Sequence, residues 1–462
     1  MLKRRGVTST AAIGILIVGL LIGAGSIYVA TPSLTSGNAS TTTKTTTTTT
    51  TVTGQGGLCS GTTVTIGALL DLSGSLKDQG TVSKYGQALA IQDINNWLNE
   101  GSCDLTFKAS VQDDGHHPTT SLQQLQSLAA AGVSVVVGPL YSDAVVNDLS
   151  YADSSHIVMI SPSSTAASLS IDNDYLFRTV PTDLYQGRAD AKMMVQNGVQ
   201  AAIIINCVGT YSGGLANATK VDFANAGGHI VDQIQYTTCD VGDDLTPVLS
   251  KMITDWNTAA QTYDPSKIAI YAVSFEELTT LLIQANASAT YRPLLNTVQP
   301  WYGDDGQAQD AVISDPATAG YLMAQIRMQS TVFAPSSLAG STREADFSTR
   351  FQQAYGRPPT IYGEGAYDDT WIAALSVLAA GKNDGPSIQK VLPGVADNYF
   401  GVTGWTLLGP SGDEIPLTGY QIWAVTIDNT KNPATFWIQT GGWDVHTNTV
   451  TWTRTCGTGL CT

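Results

Sequence analysis

Two short hydroxyl-bearing stretches follow apolar, β-branched runs in this chain. Ser142 comes directly after VVVGPLY, and Ser163, Ser164 and Thr165 come after IVMISP. If each run is a strand of a parallel sheet, these residues open loops at its carboxyl edge, where open α/β sheets bind ligands. There, hydroxyls and unpaired backbone N–H groups at a helix start can hold a carboxylate or carbonyl oxygen, helped by the helix dipole. Neither loop contains Lys or Arg, so an anion would be held by hydrogen bonds alone. The same residues would also serve as ordinary N-caps. Catalytic patterns are missing: there is no G-x-S-x-G, P-loop or H-E-x-x-H. His116 and His117 are adjacent, so their side chains diverge, and neither a metal nor another cofactor is expected. The chain reads as a binder, not an enzyme.

The elements that would position these loops are legible as an alternation. Short β-branched runs at 64–70, 105–111, 133–137 and 157–160 are separated by helical stripes over 83–98, 119–131 and 143–153. The rhythm restarts with helices over 183–197, 212–226, 244–257 and 275–286, and strands at 201–206, 229–236 and 268–273. That predicts an α/β protein with two doubly wound parallel-sheet lobes. Residues 401–453 lack helical spacing and read as antiparallel strands, with turns at Gly409-Pro410 and Gly441-Gly442. With 462 residues, 43% of them hydrophobic, two or three domains with real cores are expected. Acidic residues outnumber basic ones 38 to 22, a charge that repels phosphate backbones and argues against nucleic-acid binding.

The amino terminus predicts export. Three of the first five residues are basic, and residues 11–30 form an uncharged, mostly apolar run of the length that crosses a bilayer. Residues 1–30 are therefore expected to be a signal or single-pass membrane anchor, with everything after them on the outside. Arg4-Arg5-Gly6-Val7 before that run resembles the archaeal pilin-like signal, which is cut after the glycine and keeps its helix. Residues 31–57 should be a solvated stalk, since ten of the eleven residues 41–51 are threonine. Sequons at Asn38, Asn217 and Asn286 suit an exported, glycosylated protein. Six cysteines suit an oxidising compartment. Cys59 and Cys103 each precede a predicted strand, Cys207 and Cys239 each follow one, and Cys456 and Cys461 are local to a C-terminal loop over 456–462. Those positions suggest three disulfides, with buried free thiols as the alternative.

Seven segments in order carry a more specific signal: IGALLDLSGSLKDQG (66–80), VQDDGHHP (111–118), VVVGPLYSD (135–143), IVMISPSSTA (157–166), FRTVPTDLYQGR (177–188), AYDDTW (366–371) and GVTGWTLLGPSGD (401–413). Over residues 64–425 the chain resembles the type I periplasmic binding proteins, in particular the branched-chain amino acid and amide receptors of ABC importers. The resemblance implies two lobes joined by three crossings, near Val180-Pro181, Arg327 and Gly401. Lobe one would comprise 58–180 and 328–400, and lobe two 181–327 and 401–455. No role is assigned to the tail beyond 425, with Trp437, Trp443 and Trp452.

The resemblance also implies the ligand site. Ser142, Ser163, Ser164 and Thr165 match positions that hold a ligand's carboxylate or amide, and Tyr211 matches a tyrosine that reaches across from lobe two. Tyr141 and Tyr362 are expected in the wall. The acidic residue that holds a ligand ammonium in amino-acid receptors falls on Val298 and Gln299, with Glu276, Glu277, Asp304 and Asp305 as possible substitutes. That departure argues against a free α-amino acid; a neutral amide, urea or other small polar solute stays open, as does an amino acid held differently. The expected protein is a membrane-tethered receptor that delivers a small polar solute to a branched-chain-type ABC permease. A surface-filament subunit and a sensor ectodomain are the alternatives.

Overall fold

A computed structural model describes residues 58–237, 239–335 and 342–454. The anchor and stalk expected over 1–57, Asn38, and the Cys456–Cys461 pair lie outside the described residues. Residues 1–53 and Gly54–Thr462 cluster as separate units, and all that follows concerns the second.

The first sheet holds five parallel strands in the order β2-β1-β3-β4-β5. These are β1 (Ser60–Leu70), β2 (Asp104–Asp113), β3 (Val135–Val137), β4 (Val158–Ser161) and β5 (Leu176–Arg178). Helices α1 (Lys77–Glu100), α2 (Pro118–Ala130) and α3 (Ser142–Ser155) make its crossovers. β3 and β4 are buried on both faces, which is why they read as unbroken apolar runs.

The second sheet begins after α4 (Asp183–Gln196) with β6 (Ala201–Cys207), α5 (Thr210–Asn225), β7 (His229–Tyr236), α6 (Thr246–Ala259) and β8 (Ile268–Val273). It continues through α7 (Glu277–Ala287), β9 (Tyr302–Gly303), the short α8 (Ala311–Ser314), α9 (Gly320–Ile326) and β10 (Gln329–Phe333). The chain then returns to the first lobe for α10 (Thr342–Tyr355), α11 (Ile361–Ala380) and α12 (Gly385–Ala396). It ends in β11 (Gly419–Ile427), β12 (Thr435–Asp444) and β13 (Thr449–Trp452). The full order is β13-β12-β11-β10-β9-β8-β6-β7, parallel from β7 to β10 and antiparallel beyond. Both sheets reverse strand order at one place, between β1 and β3 and between β6 and β8, and such switch points leave a crevice for ligands.

Three sequence expectations change. β10 pairs with β9 and β11, so the crossing expected near Arg327 follows Phe333 instead. Residues 401–413 stay with the first lobe, because Arg178 N–H donates to Gly412 O and Asp413 bridges to Arg178; the third crossing falls after Glu414, not at Gly401. Gly441-Gly442 is not a turn but lies inside β12, paired on both sides, next to an irregularity in the β11 register. A Cβ on Gly441 would meet Thr451 O at 2.6 Å, so the glycine serves close strand approach.

Among the described residues each lobe carries one disulfide, Cys59–Cys103 across the starts of β1 and β2 and Cys207–Cys239 between the end of β6 and the segment after β7. Among the described residues, no helix is long and apolar enough to cross a membrane. Asn217 and Asn286 are both exposed.

Candidate ligand-binding cleft

On the first lobe, Asp71 at the end of β1 fixes the loop that follows. Its carboxylate accepts from the N–H groups of Ser73 (3.2 Å), Gly74 (2.5 Å) and Leu76 (2.8 Å). That bracing starts α1 before the stretch where its apolar stripe is visible, and it sets Leu76 and Gln79 on the cleft. After β3, Gly138 turns the chain at φ +99°, where a Cβ would sit 2.2 Å from Leu69 O. Leu140, Tyr141 and Ser142 follow on the cleft wall. After β4, Ser161 Oγ donates to Pro139 O (2.6 Å) and accepts from Ser164 N–H (3.0 Å), tying the two loops together. Arg178, wholly buried, donates to the carbonyls of Ser164 (3.2 Å) and Ala166 (2.8 Å) and pairs with Asp413 at 2.7 Å. It holds the hydroxyl-bearing loop without touching the cavity.

The second lobe supplies the opposite wall from its own switch point. Tyr211 begins α5 after β6, Phe275 follows β8, and Asp305 and Gly306 follow β9. Tyr211 Oη donates to Asp305 Oδ1 at 2.6 Å, and its ring stacks on Phe275 with centroids 5.4 Å apart. Tyr362, on α11 of the first lobe, donates to Asp305 O at 2.6 Å, and Gln79 Nε2 donates to the carbonyls of Asp305 and Gly306 at 3.2 Å each. The lobes thus meet directly, and about 10 Å³ of free space remains between the walls, room for about one water molecule.

The electrostatics of the cleft are acidic. Burial raises the Asp305 carboxyl above its ordinary range, although Tyr211 and other donors stabilise its charge. Asp304 is fully buried with no partner on either oxygen; burial and then the neighbouring Asp305 push it well up. Asp183, also buried, is pushed to about 8, chiefly by burial, with the Thr165 hydroxyl acting the other way. No Lys or Arg lines the cavity. His116 stacks on Tyr141 (4.3 Å) and meets Asp71 Oδ2 through Nδ1 at 3.1 Å. Burial disfavours its charge, but the bond to Asp71 together with the charges of Asp71, Asp114 and Glu277 outweighs burial and raises it. Among the described residues, no group of three His, Cys, Asp or Glu could hold a metal ion.

Of the residues named from sequence, Ser142, Ser163, Tyr141, Tyr211 and Tyr362 line the cavity. Ser164 and Thr165 stand behind it: Ser164 Oγ donates to Ser142 Oγ at 3.1 Å, and Thr165 is buried. Val298 and Gln299 are displaced from the site altogether. Val298 is solvent-exposed, and Gln299 bonds Asn197 O and Ser266 O. They follow a 3-10 turn over Arg292–Asn296, whereas the strand that reaches the cleft is the two-residue β9, followed at once by Asp304 and Asp305. Glu277 is committed inside its lobe to Tyr236 Oη and Phe275 N–H. Leu76, Gln79, Leu140, Phe275 and Gly306 were missed. Phe275 carried a usable signal, since it follows its strand as Ser142 follows another.

A family profile described as periplasmic binding protein matches residues 63–413. An uncharacterized protein of Methanocaldococcus jannaschii is 30% identical over 414 residues, covering 84% of this chain and 91% of that one. Among solved structures, the leucine-binding protein LivK of Thermotoga maritima superposes with a TM-score of 0.66 at 19% identity, covering 81% of this chain and 97% of that one. The branched-chain amino acid binding protein LivJ of Streptococcus pneumoniae, in complex with isoleucine, gives 0.61 at 21% identity, covering 82% and 99%. A solute-binding protein of Rhodopseudomonas palustris in complex with benzoate gives 0.64 at 16% identity, covering 87% and 97%.

Proposed function

Because the chain belongs to the periplasmic binding protein family and has the type I fold of the branched-chain amino acid receptors, we propose that it captures a free α-amino acid for an ABC importer. One observation carries the choice of ligand: a hydroxyl-rich helix start on one wall faces the Asp305 carboxylate on the other, within a single cavity. A zwitterion fits that polarity. Its carboxylate would accept from the Ser142 and Ser163 side, where the α3 dipole favours negative charge, and its ammonium would meet Asp305. Leu76, Leu140 and Phe275 offer apolar surface to a side chain. The repositioning of the acidic residue from 298–299 to Asp305 is what moves the reading from an amide or urea to an amino acid.

In this reading the ligand enters when the lobes part and favours closure through contacts to both walls. A branched-chain-type permease would receive it. The basic residues and apolar run of 1–30 and the threonine-rich 31–57 support tethering of the receptor outside the membrane. The test is calorimetric titration of residues 54–462 with a panel of amino acids, amides, urea and aromatic acids. Apolar L-amino acids should bind, and Asp305→Asn should weaken them roughly 30- to 100-fold, as loss of a charged hydrogen bond implies. Binding of amides or aromatic acids in place of amino acids, or an unchanged affinity in Asp305→Asn, would reject the assignment.

A further inference from the structure

The start of α1 holds the second lobe independently of the cleft walls. Ser75 Oγ donates to Cys239 O (3.0 Å), and Ser75 O accepts from Glu276 N–H (3.2 Å). Asp78 N–H donates to Glu276 Oε1 (3.2 Å), and Ala311 N–H donates to Asp78 Oδ2 (2.9 Å). Asp78 of one lobe and Glu276 and Asp310 of the other are therefore gathered at the seam, at 7%, 3% and 1% exposure. Asp310 Oδ1 accepts from Ile313 N–H, and its Oδ2 has no partner. Few cations face this cluster. Arg357 is bonded through both terminal nitrogens to Asp78, Lys77 lies near Glu276 but on the exposed side, and Asp71 adds another negative charge. Glu277, the next residue, is bonded within its own lobe.

At this seam three carboxylates lie out of water around one guanidinium, an arrangement with surplus negative charge in a poorly solvated place. We propose that the Asp78–Glu276–Asp310 seam makes closure take up protons, so that rising pH parts the lobes and lowers the receptor's hold on its ligand. The direction follows from the two states. In the closed form burial, and then the charge of Asp78, push Glu276 to about 7, and burial with Asp78 and Glu276 raises Asp310 further. With the lobes apart, Glu276 is hydrated and returns toward an ordinary value of about 4.3. Between those values the closed form holds the extra proton, and closure weakens by up to about tenfold per pH unit for each proton taken up.

The proposal rests on the hinged reading of the lobes but not on the identity of the ligand, so it is tested without one. Small-angle X-ray scattering of residues 54–462, the compact unit, would be recorded from pH 5 to 9 for the wild type and Glu276→Gln, with circular dichroism confirming the fold. The wild-type radius of gyration should grow as pH rises from 5 toward about 7, the closed-state value of Glu276, and Glu276→Gln should remove that growth. Glu276→Met, equally unable to titrate, replaces it if the glutamine variant does not fold. A wild-type radius that is constant with pH, or a variant that expands over the same range as the wild type, would overturn the proposal.

Discussion

Asp305 and Tyr211 act as one unit, a carboxylate whose first oxygen is taken by a phenol at 2.6 Å and whose environment contains no permanent cation. The tyrosine fixes the direction in which the carboxylate presents itself and stabilises its charge against burial. Tyr211→Phe keeps the ring and its stacking on Phe275 but removes that bond, so affinity for an amino-acid ligand should fall about five- to tenfold, near 1 kcal/mol. Calorimetric titration checks this, and an unchanged dissociation constant would show that the hydroxyl does not orient Asp305. The acidic residue was hard to place from sequence because β9 is only two residues long, too short for alternation to mark. The segment LLNTVQP before it imitates a strand, but its first three residues belong to the 3-10 turn Arg292–Asn296, where Leu294 O accepts from Trp301 Nε1 at 3.0 Å. Ser142 was legible because β3 is a run of buried valines ending in a glycine turn.

At the scale of elements, the cleft depends on how α1 and α11 cross. A Cβ on Gly86 of α1 would lie 2.0 Å from the carbonyl oxygen of Gly363 on α11, so the two helices approach backbone to backbone there. α1 carries Gln79 and α11 carries Tyr362, both of which bond the Asp305 segment of the other lobe. Gly86→Ala should therefore cost about 1–3 kcal/mol of stability, read as a lower urea midpoint, and should weaken ligand binding by displacing Tyr362. A variant as stable as the wild type would show that the crossing can relax. The alternation of strands and helices was visible as periodicity. What it could not reveal was the allegiance of β10, because a buried strand of five residues reads alike in either sheet. Pairing with β11, 86 residues further on at Gly419, decided it.

The whole molecule is acidic, with a net charge of −16, and many of its carboxyls are buried. Burial is the leading cause in raising Asp114 and Asp148 to about 7, and Asp183, Asp190 and Glu364 to about 8. In the unfolded chain these groups titrate near 4. Between about pH 4 and 8 the native state thus holds more protons than the unfolded state, and stability must fall as pH rises through that window. His116, raised by Asp71, acts in the same direction, since its contribution is lost as pH climbs past its folded value. The melting temperature should be higher at pH 5 than at pH 8, and scanning calorimetry across that range would contradict the reading if it found the reverse.

The sequence by itself determined what is local or periodic: the α/β alternation, the two lobes, the loops that bear Ser142 and Ser163, and the positions at which Cys59 and Cys103, and Cys207 and Cys239, stand beside strand ends. These follow from side-chain spacing and from the rule that a loop after a parallel strand emerges at one edge. Tertiary structure alone decided which acid lines the cleft, which sheet owns β10, and that Asp78, Glu276 and Asp310 share one buried seam. Each of those depends on contacts between segments far apart in the chain. Sequence pattern carries no information about charges that meet only when two lobes close.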